Sequence, residues 1–96
     1  MRYSRGSVKS PQHFVYILEC ADGTLYTGYT TDVARRLMEH TTGRGGKGAR
    51  YTAARLPVRL RYSEVCPTRS LALKREAEIK KLTRLGKIEL CKKEVD

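Results

Sequence analysis

The hydrophobic pattern begins at His13. From there to Cys20 the chain reads His-Phe-Val-Tyr-Ile-Leu-Glu-Cys, a nearly continuous apolar run rich in β-formers. Such a run predicts a strand covered on both faces. Ala21-Asp22-Gly23 is a turn signal, and Thr24 to Tyr29 reads as a second strand, making a hairpin. Asp32 is placed to cap a helix running to about Thr41, with Val33, Leu37 and Met38 as its inward stripe. Thr42 to Gly48 holds four glycines and ends that helix; the weakly patterned stretch to Arg55 has room for a short one. Pro57 opens the alternating run Val58-Arg59-Leu60-Arg61-Tyr62, a third strand with one apolar and one basic face. Thr68 caps the longest helix, predicted to end near Leu85-Gly86, where glycine is a natural stop. The order β-β-α-(α)-β-α predicts an α+β domain, a small three-stranded antiparallel sheet flanked by helices. Residues 1–12 read as a flexible basic tail, 13–90 as the domain and 91–96 as a C-terminal tail.

Side chains alternate faces along a strand, so the parity of the hairpin loop decides which tyrosines share a face. A two-residue Asp22-Gly23 turn pairs Tyr16 with Tyr29 and puts Tyr26 on the opposite face. A three-residue loop with Gly23 left-handed pairs Cys20 with Thr24, Leu18 with Tyr26 and Tyr16 with Gly28. The second register gives Gly28 a purpose, leaving space beside the Tyr16 ring. It is the register expected here.

Composition narrows the class. The chain has 96 residues, room for one domain, with 20 Lys and Arg against 10 Asp and Glu, a net charge of +10. That excess favours polyanions. No basic amphipathic helix with large apolar residues stands out and Trp is absent, so a lipid surface is disfavoured. Neither a bilayer-spanning run nor the apolar segment of a secretory signal is present, and a cytoplasmic protein is the simplest reading. Cys20, Cys66 and Cys91 are odd in number and widely spaced, without a Cys-x-x-Cys pair. They read as small core residues.

Three features carry candidate chemistry. From Thr41 to Arg61 there is no acidic residue, while Arg44, Lys47, Arg50, Arg55, Arg59 and Arg61 supply positive charge. This segment is the expected nucleic-acid-binding surface; a solvated loop that keeps the protein soluble is the plainer alternative. Asp32, Arg36 and His40 repeat every four residues along one flank of the first helix, an arrangement that alone is ordinarily a surface charge ladder. On the last helix, plotted at about 100° per residue, the buried face centres on Ala72, Ile79, Leu82 and Thr83. Glu76 borders that face. A carboxylate there needs a partner, which is Arg75, a basic residue elsewhere or a divalent metal.

The ordered combination resembles the GIY-YIG nuclease superfamily from His13 to about Leu85. Phe14-Val15-Tyr16 stands for the first tripeptide and Tyr26-Thr27-Gly28 for the second, followed by Arg36 and His40 on a helix and Glu76 downstream. Tyr26-Thr27-Gly28-Tyr29-Thr30, Gly48-Ala49-Arg50-Tyr51-Thr52 and Lys74-Arg75-Glu76-Ala77-Glu78-Ile79-Lys80 carry a closer likeness to small stand-alone bacterial members, which are related to the nuclease subunit of eukaryotic complexes that cut branched DNA. Many relatives place an asparagine near the end of the domain; this chain has none.

The resemblance implies a divalent-metal-dependent endonuclease that hydrolyses phosphodiester bonds, with branched DNA as a candidate substrate and RNA left open. Glu76 would hold one Mg2+ or Mn2+ ion, Arg36 would clamp the phosphate, and Tyr16 would act as base on the attacking water. Tyr26 and His40 would orient that water or share proton transfer. Tyrosine ionises near pH ~10, so Arg36 or the metal would have to favour its ionised form. The expected state is a monomer, with a protein partner as one source of specificity. Two alternatives stand beside this reading. One is a nucleic-acid-binding module whose site is vestigial; the other is an interaction protein that happens to be basic.

Overall fold

In the computed structural model, which describes residues 12–44 and 46–92, the hairpin strands are β1 (His13–Cys20) and β2 (Leu25–Thr30). Most of both expected tails, residues 1–11 and 93–96, and Gly45 in the glycine-rich stretch lie outside the described residues. Thereafter come α1 (Val33–Thr42), α2 (Lys47–Ala53), β3 (Val58–Cys66), α3 (Arg69–Lys80) and α4 (Arg84–Lys92). The sheet is antiparallel in the order β2-β1-β3, with β1 central. This is the expected α+β architecture, and the apolar continuity of β1 follows from it. Val15, Ile17 and Leu18 are at most 1% exposed because helices cover both sheet faces.

The hairpin adopts the odd loop. Cys20 N–H donates to the Thr24 carbonyl at 2.9 Å, Gly23 is left-handed at φ +86°, and Leu18 pairs with Tyr26 and Tyr16 with Gly28. On one face Val15, Ile17, Tyr62 and Cys66 pack with Ala72, Ile79, Leu90 and Cys91 from α3 and α4. Tyr16, Leu18, Tyr26 and Gly28 belong to the other face, where α1 and α2 supply His40, Ala49 and Thr52.

Four expectations are corrected. The long last helix is two helices, because Thr83 starts a new one: its hydroxyl accepts from Gly86 N–H at 3.0 Å and its carbonyl from Lys87 N–H at 3.0 Å. Gly86 therefore sits inside α4 instead of ending α3, and Leu82 and Thr83 are exposed at the junction while Ala72 and Ile79 are buried as expected. Met38 is 67% exposed, since the inward flank of α1 is taken by Arg36, Leu37 and His40. The apolar alternation of β3 is broken by a bulge: Ile17 pairs with Tyr62 but Leu18 with Leu60, leaving Arg61 as the extra residue and Leu60 39% exposed. Finally, the core reaches Cys91, at 3% exposure, so packing continues past residue 90 into α4.

All three cysteines are buried and outside any disulfide. Burial pushes the thiols of Cys20 and Cys66 up, which makes them poor nucleophiles.

Candidate active site

The parity of the hairpin loop places the Tyr16 and Tyr26 rings on one side of the sheet, 6.4 Å apart between centroids. Two glycines let them settle there. A Cβ on Gly28 would run into the Tyr16 hydroxyl and lie 2.6 Å from its Cζ; one on Gly48, in the first turn of α2, would run into the Tyr26 hydroxyl and lie 2.8 Å from its Cζ. Each phenol is thus seated on bare backbone.

α1 brings the other two groups. Asp32 caps it, its carboxylate accepting from Arg35 N–H at 3.0 Å, which orients the inward flank toward the tyrosines. Tyr16 Oη lies 2.7 Å from His40 Nε2 and accepts from Arg36 Nε at 3.3 Å. The His40 ring stands edge-on to both phenols, with centroids 5.7 Å from Tyr16 and 4.9 Å from Tyr26. Glu39 holds Arg36 by an ion pair at 2.8 Å. The Asp32-Arg36-His40 trio is therefore no surface ladder: Arg36 and His40 turn inward and Asp32 stays outside as the cap.

Sequence reasoning missed Thr52. Its hydroxyl is 2.7 Å from His40 Nδ1, so the imidazole is held between Tyr16 and Thr52. His40 and Thr52 are both 0% exposed. A threonine on a short helix carries no periodicity signal that would announce such a role. Gly48 was also missed in this role; it opens the Gly48-to-Thr52 stretch of the family likeness, but nothing local marks it as the seat of a ring.

Burial governs the proton affinities. Desolvation, reinforced by the Arg36 charge, lowers His40 to about 4, so the imidazole is neutral near pH 7. Desolvation also raises Tyr16 to about 12; the Arg36 hydrogen bond opposes this, and the charges of Tyr26 and Glu76 add to it. Arg36 or a metal would have to favour the ionised form, and Arg36 alone does not reach that far. Its pull is in the right direction but smaller than the cost of burying a phenolate, and at pH 7 only about one phenol in 10⁵ is ionised.

Glu76 lies near enough for its charge to act on Tyr16. Of the expected partners, the one present is a basic residue other than Arg75. Lys80 Nζ stands 3.4 Å from Glu76, while Arg75 pairs with Glu64 at 2.9 Å and with Glu78 at 3.3 Å. The Glu76 side chain is 18% exposed and Lys80 56%, so the lysine sits on the outer side of the pair. Among the described residues no three His, Cys, Asp or Glu gather as a metal cluster. A lone carboxylate fits a Mg2+ or Mn2+ ion in the mode that keeps waters and substrate phosphate as its other ligands. Lys80 also lines a cleft of about 460 Å³ together with Tyr26, Gly48, Tyr51 and Lys87.

The six expected phosphate-binding cations divide. Arg44, after α1, and Arg50, on α2, are exposed and have no ion-pair partner among the described residues. Lys47 opens α2. Arg55 is turned inward on the chain, its guanidinium 3.8 Å over the Tyr51 ring and 3.2 Å from Asp22. Arg59 and Arg61 both bind Glu19, at 2.9 and 2.5 Å, on the sheet edge away from β2. Their hydrogen bonds hold the Glu19 carboxyl below its ordinary range.

No helix among the described residues is long and apolar enough to cross a membrane. Residues 12–89 match the family described as the GIY-YIG catalytic domain. The chain is 56% identical over 79 residues to a UPF0213 protein of Streptococcus agalactiae, covering 82% of this chain and 86% of the relative. To a UPF0213 protein of Haloquadratum walsbyi it is 54% identical over 84 residues, covering 88% and 91%. Two solution NMR structures share the fold. A UPF0213 protein of Bacillus halodurans has a TM-score of 0.52 at 48% identity, covering 82% of this chain and 81% of that one. A protein of E. faecalis has a TM-score of 0.60 at 45% identity, covering 88% and 86%. With its matched span covering most of the sequence and its tyrosines, arginine and histidine gathered at one face, the chain belongs to the GIY-YIG catalytic domain family, a nuclease fold.

Proposed function

We propose that this protein is a divalent-metal-dependent endonuclease that hydrolyses phosphodiester bonds in DNA, with branched DNA its preferred substrate. The observation that carries the reading is the position of Tyr16 Oη, at hydrogen-bond distance from both a neutral imidazole and a guanidinium. A group so placed can receive a proton from water on one side while releasing its own on the other.

In the hydrolysis, a water oxygen forms a bond to phosphorus as the bond from phosphorus to the leaving sugar oxygen breaks. The water proton passes to Tyr16 Oη as the phenol proton passes to His40 Nε2. The leaving oxygen is protonated from solvent, and His40 returns its proton afterwards. No free tyrosinate forms, which suits a phenol raised to about 12. Arg36, fixed by Glu39, directs positive charge at the phosphate. A cation on Glu76 would supply further positive charge at the scissile group when bound. Tyr26, seated on Gly48, packs against the His40 ring and limits its tilt.

Arg44 and Arg50 support a nucleic-acid path past the site, and a domain of this size with a net charge of +10 engages backbone and shape more readily than base edges. A second reading, binding without cleavage, draws on the Lys80 ion pair that already neutralises Glu76. The test is incubation of purified protein with labelled flap, fork, Holliday-junction, linear duplex and RNA substrates, with Mg2+ or Mn2+ and with EDTA. Metal-dependent cleavage of branched DNA is expected. Cleavage of RNA alone would reassign the substrate, and binding without cleavage of any substrate would favour the second reading.

A further inference from the structure

We infer that Thr52 is a positioning residue that fixes His40 as its Nδ1–H tautomer, and thereby turns the Tyr16 hydroxyl proton toward His40 Nε2. Which imidazole nitrogen carries the proton is set by the partner of the other. Here both partners are hydroxyls, each able to donate or accept, so the choice falls to what else those hydroxyls touch.

Thr52 Oγ1 has three carbonyl oxygens around it: Ala49 at 3.1 Å, His40 at 3.2 Å and Gly48 at 3.3 Å. The His40 carbonyl lies in the last turn of α1, where carbonyls lack a donor from their own helix. With one hydrogen and carbonyls as its neighbours, the Thr52 hydroxyl donates there and offers His40 a lone pair. His40 Nδ1 must then carry the hydrogen. The Gly48 carbonyl faces the same imidazole and can only accept, which favours an N–H in the same way.

The other end of the ring gives an independent count. Tyr16 is 2% exposed and its oxygen already accepts from Arg36 Nε. Among the described residues, His40 Nε2 at 2.7 Å is the acceptor that its hydrogen meets. Were Nε2 protonated, Tyr16 would face two N–H donors and its own buried hydrogen would have no acceptor. With Nδ1 protonated, every hydrogen in the chain Tyr16–His40–Thr52–carbonyl has a place. Because His40 is neutral near pH 7, one tautomer holds throughout that range.

The catalytic consequence rests on the hydrolytic reading above: only this tautomer leaves Nε2 free to take the phenol proton. The tautomer itself can be read without activity. The chain has two histidines, His13 and His40, so the imidazole ¹⁵N spectrum is readily assigned. The expected wild-type result is a protonated Nδ1 and an unprotonated Nε2 for His40. Thr52→Val, which keeps the shape and removes the hydroxyl, should give a mixture of tautomers and at least a tenfold loss of kcat, with DNA affinity unchanged. Thr52→Ser should restore both. A wild-type His40 protonated at Nε2 would overturn the inference even if no variant folds. So would Thr52→Val retaining the pure Nδ1–H form and the wild-type rate. The expected tautomer in a protein that cleaves no substrate would leave this inference standing and defeat the hydrolytic reading.

Discussion

Acidification should unfold this protein through His40. The imidazole is fully enclosed and lowered from an ordinary 6.5 to about 4, so the unfolded chain binds the proton more tightly than the folded one. Stability from this group is complete above about pH 6.5 and is lost as the pH falls toward about 4. A difference of about 2.5 units at 1.36 kcal/mol each corresponds to about 3.4 kcal/mol in full, of which about 2.5 kcal/mol is gone by about pH 4.5. That is a large share of the roughly 5–10 kcal/mol expected for a domain of this size. Glu19 and Asp22 are held below their ordinary carboxyl values and also lose stability on acidification, but at lower pH and equally in a variant lacking the histidine. Urea unfolding followed by circular dichroism, for wild type and His40→Gln between about pH 7 and about pH 4.5, separates the two. The wild type should lose about 2 kcal/mol more than the variant over that range. Parallel losses would refute a buried neutral histidine.

Three other outcomes follow. Gly48→Ala should reduce cleavage at least tenfold with little change in DNA affinity, because a Cβ 2.8 Å from Tyr26 Cζ forces that ring off its seat; unchanged kinetics would show that Tyr26 has room to move. Replacing Arg44 and Arg50 together by Gln should reduce the salt slope of duplex binding by about 1.8, two phosphate contacts at about 0.9 each. Replacing Arg59 and Arg61 should change the slope by less than one contact, since both guanidiniums are committed to Glu19; the reverse pattern would move the DNA path to the β3 edge.

The fold was largely legible because its strongest signals are local. A continuous apolar strand, a turn ending in glycine and a well-capped helix each speak through a few neighbouring residues. The hairpin register was legible for a different reason, since the parity of one short loop fixes the facing of every residue in it. What escaped was decided over longer range. Met38 fits the apolar stripe of α1, yet the helix is rotated to bury His40 between Tyr16 and Thr52, and hydrogen bonding at both ring nitrogens outweighs one exposed methionine. Gly86 resembles a helix stop, but Thr83 caps a new helix three residues earlier, and a cap is visible only once the chain has turned. In the site, Tyr16, Tyr26, Arg36 and His40 were named from their order in the chain, and the structure brings them together with Glu76 nearby. Thr52 and Gly48 act through distances to residues far away in sequence, which no spacing rule encodes. The ion pairs of Arg55, Arg59 and Arg61 were hidden for a similar reason: Glu19 and Asp22 lie outside the basic segment in sequence but against it in space.

The most direct test of the account is Tyr16→Phe, which removes one oxygen and leaves the ring that rests on Gly28. With the phenol as the proton relay, metal-dependent cleavage of the best substrate should fall by roughly 10²–10⁴, while DNA affinity stays within about threefold and the fold is retained. Cleavage within a few-fold of wild type would contradict the account, because the proton of the attacking water would then have another route.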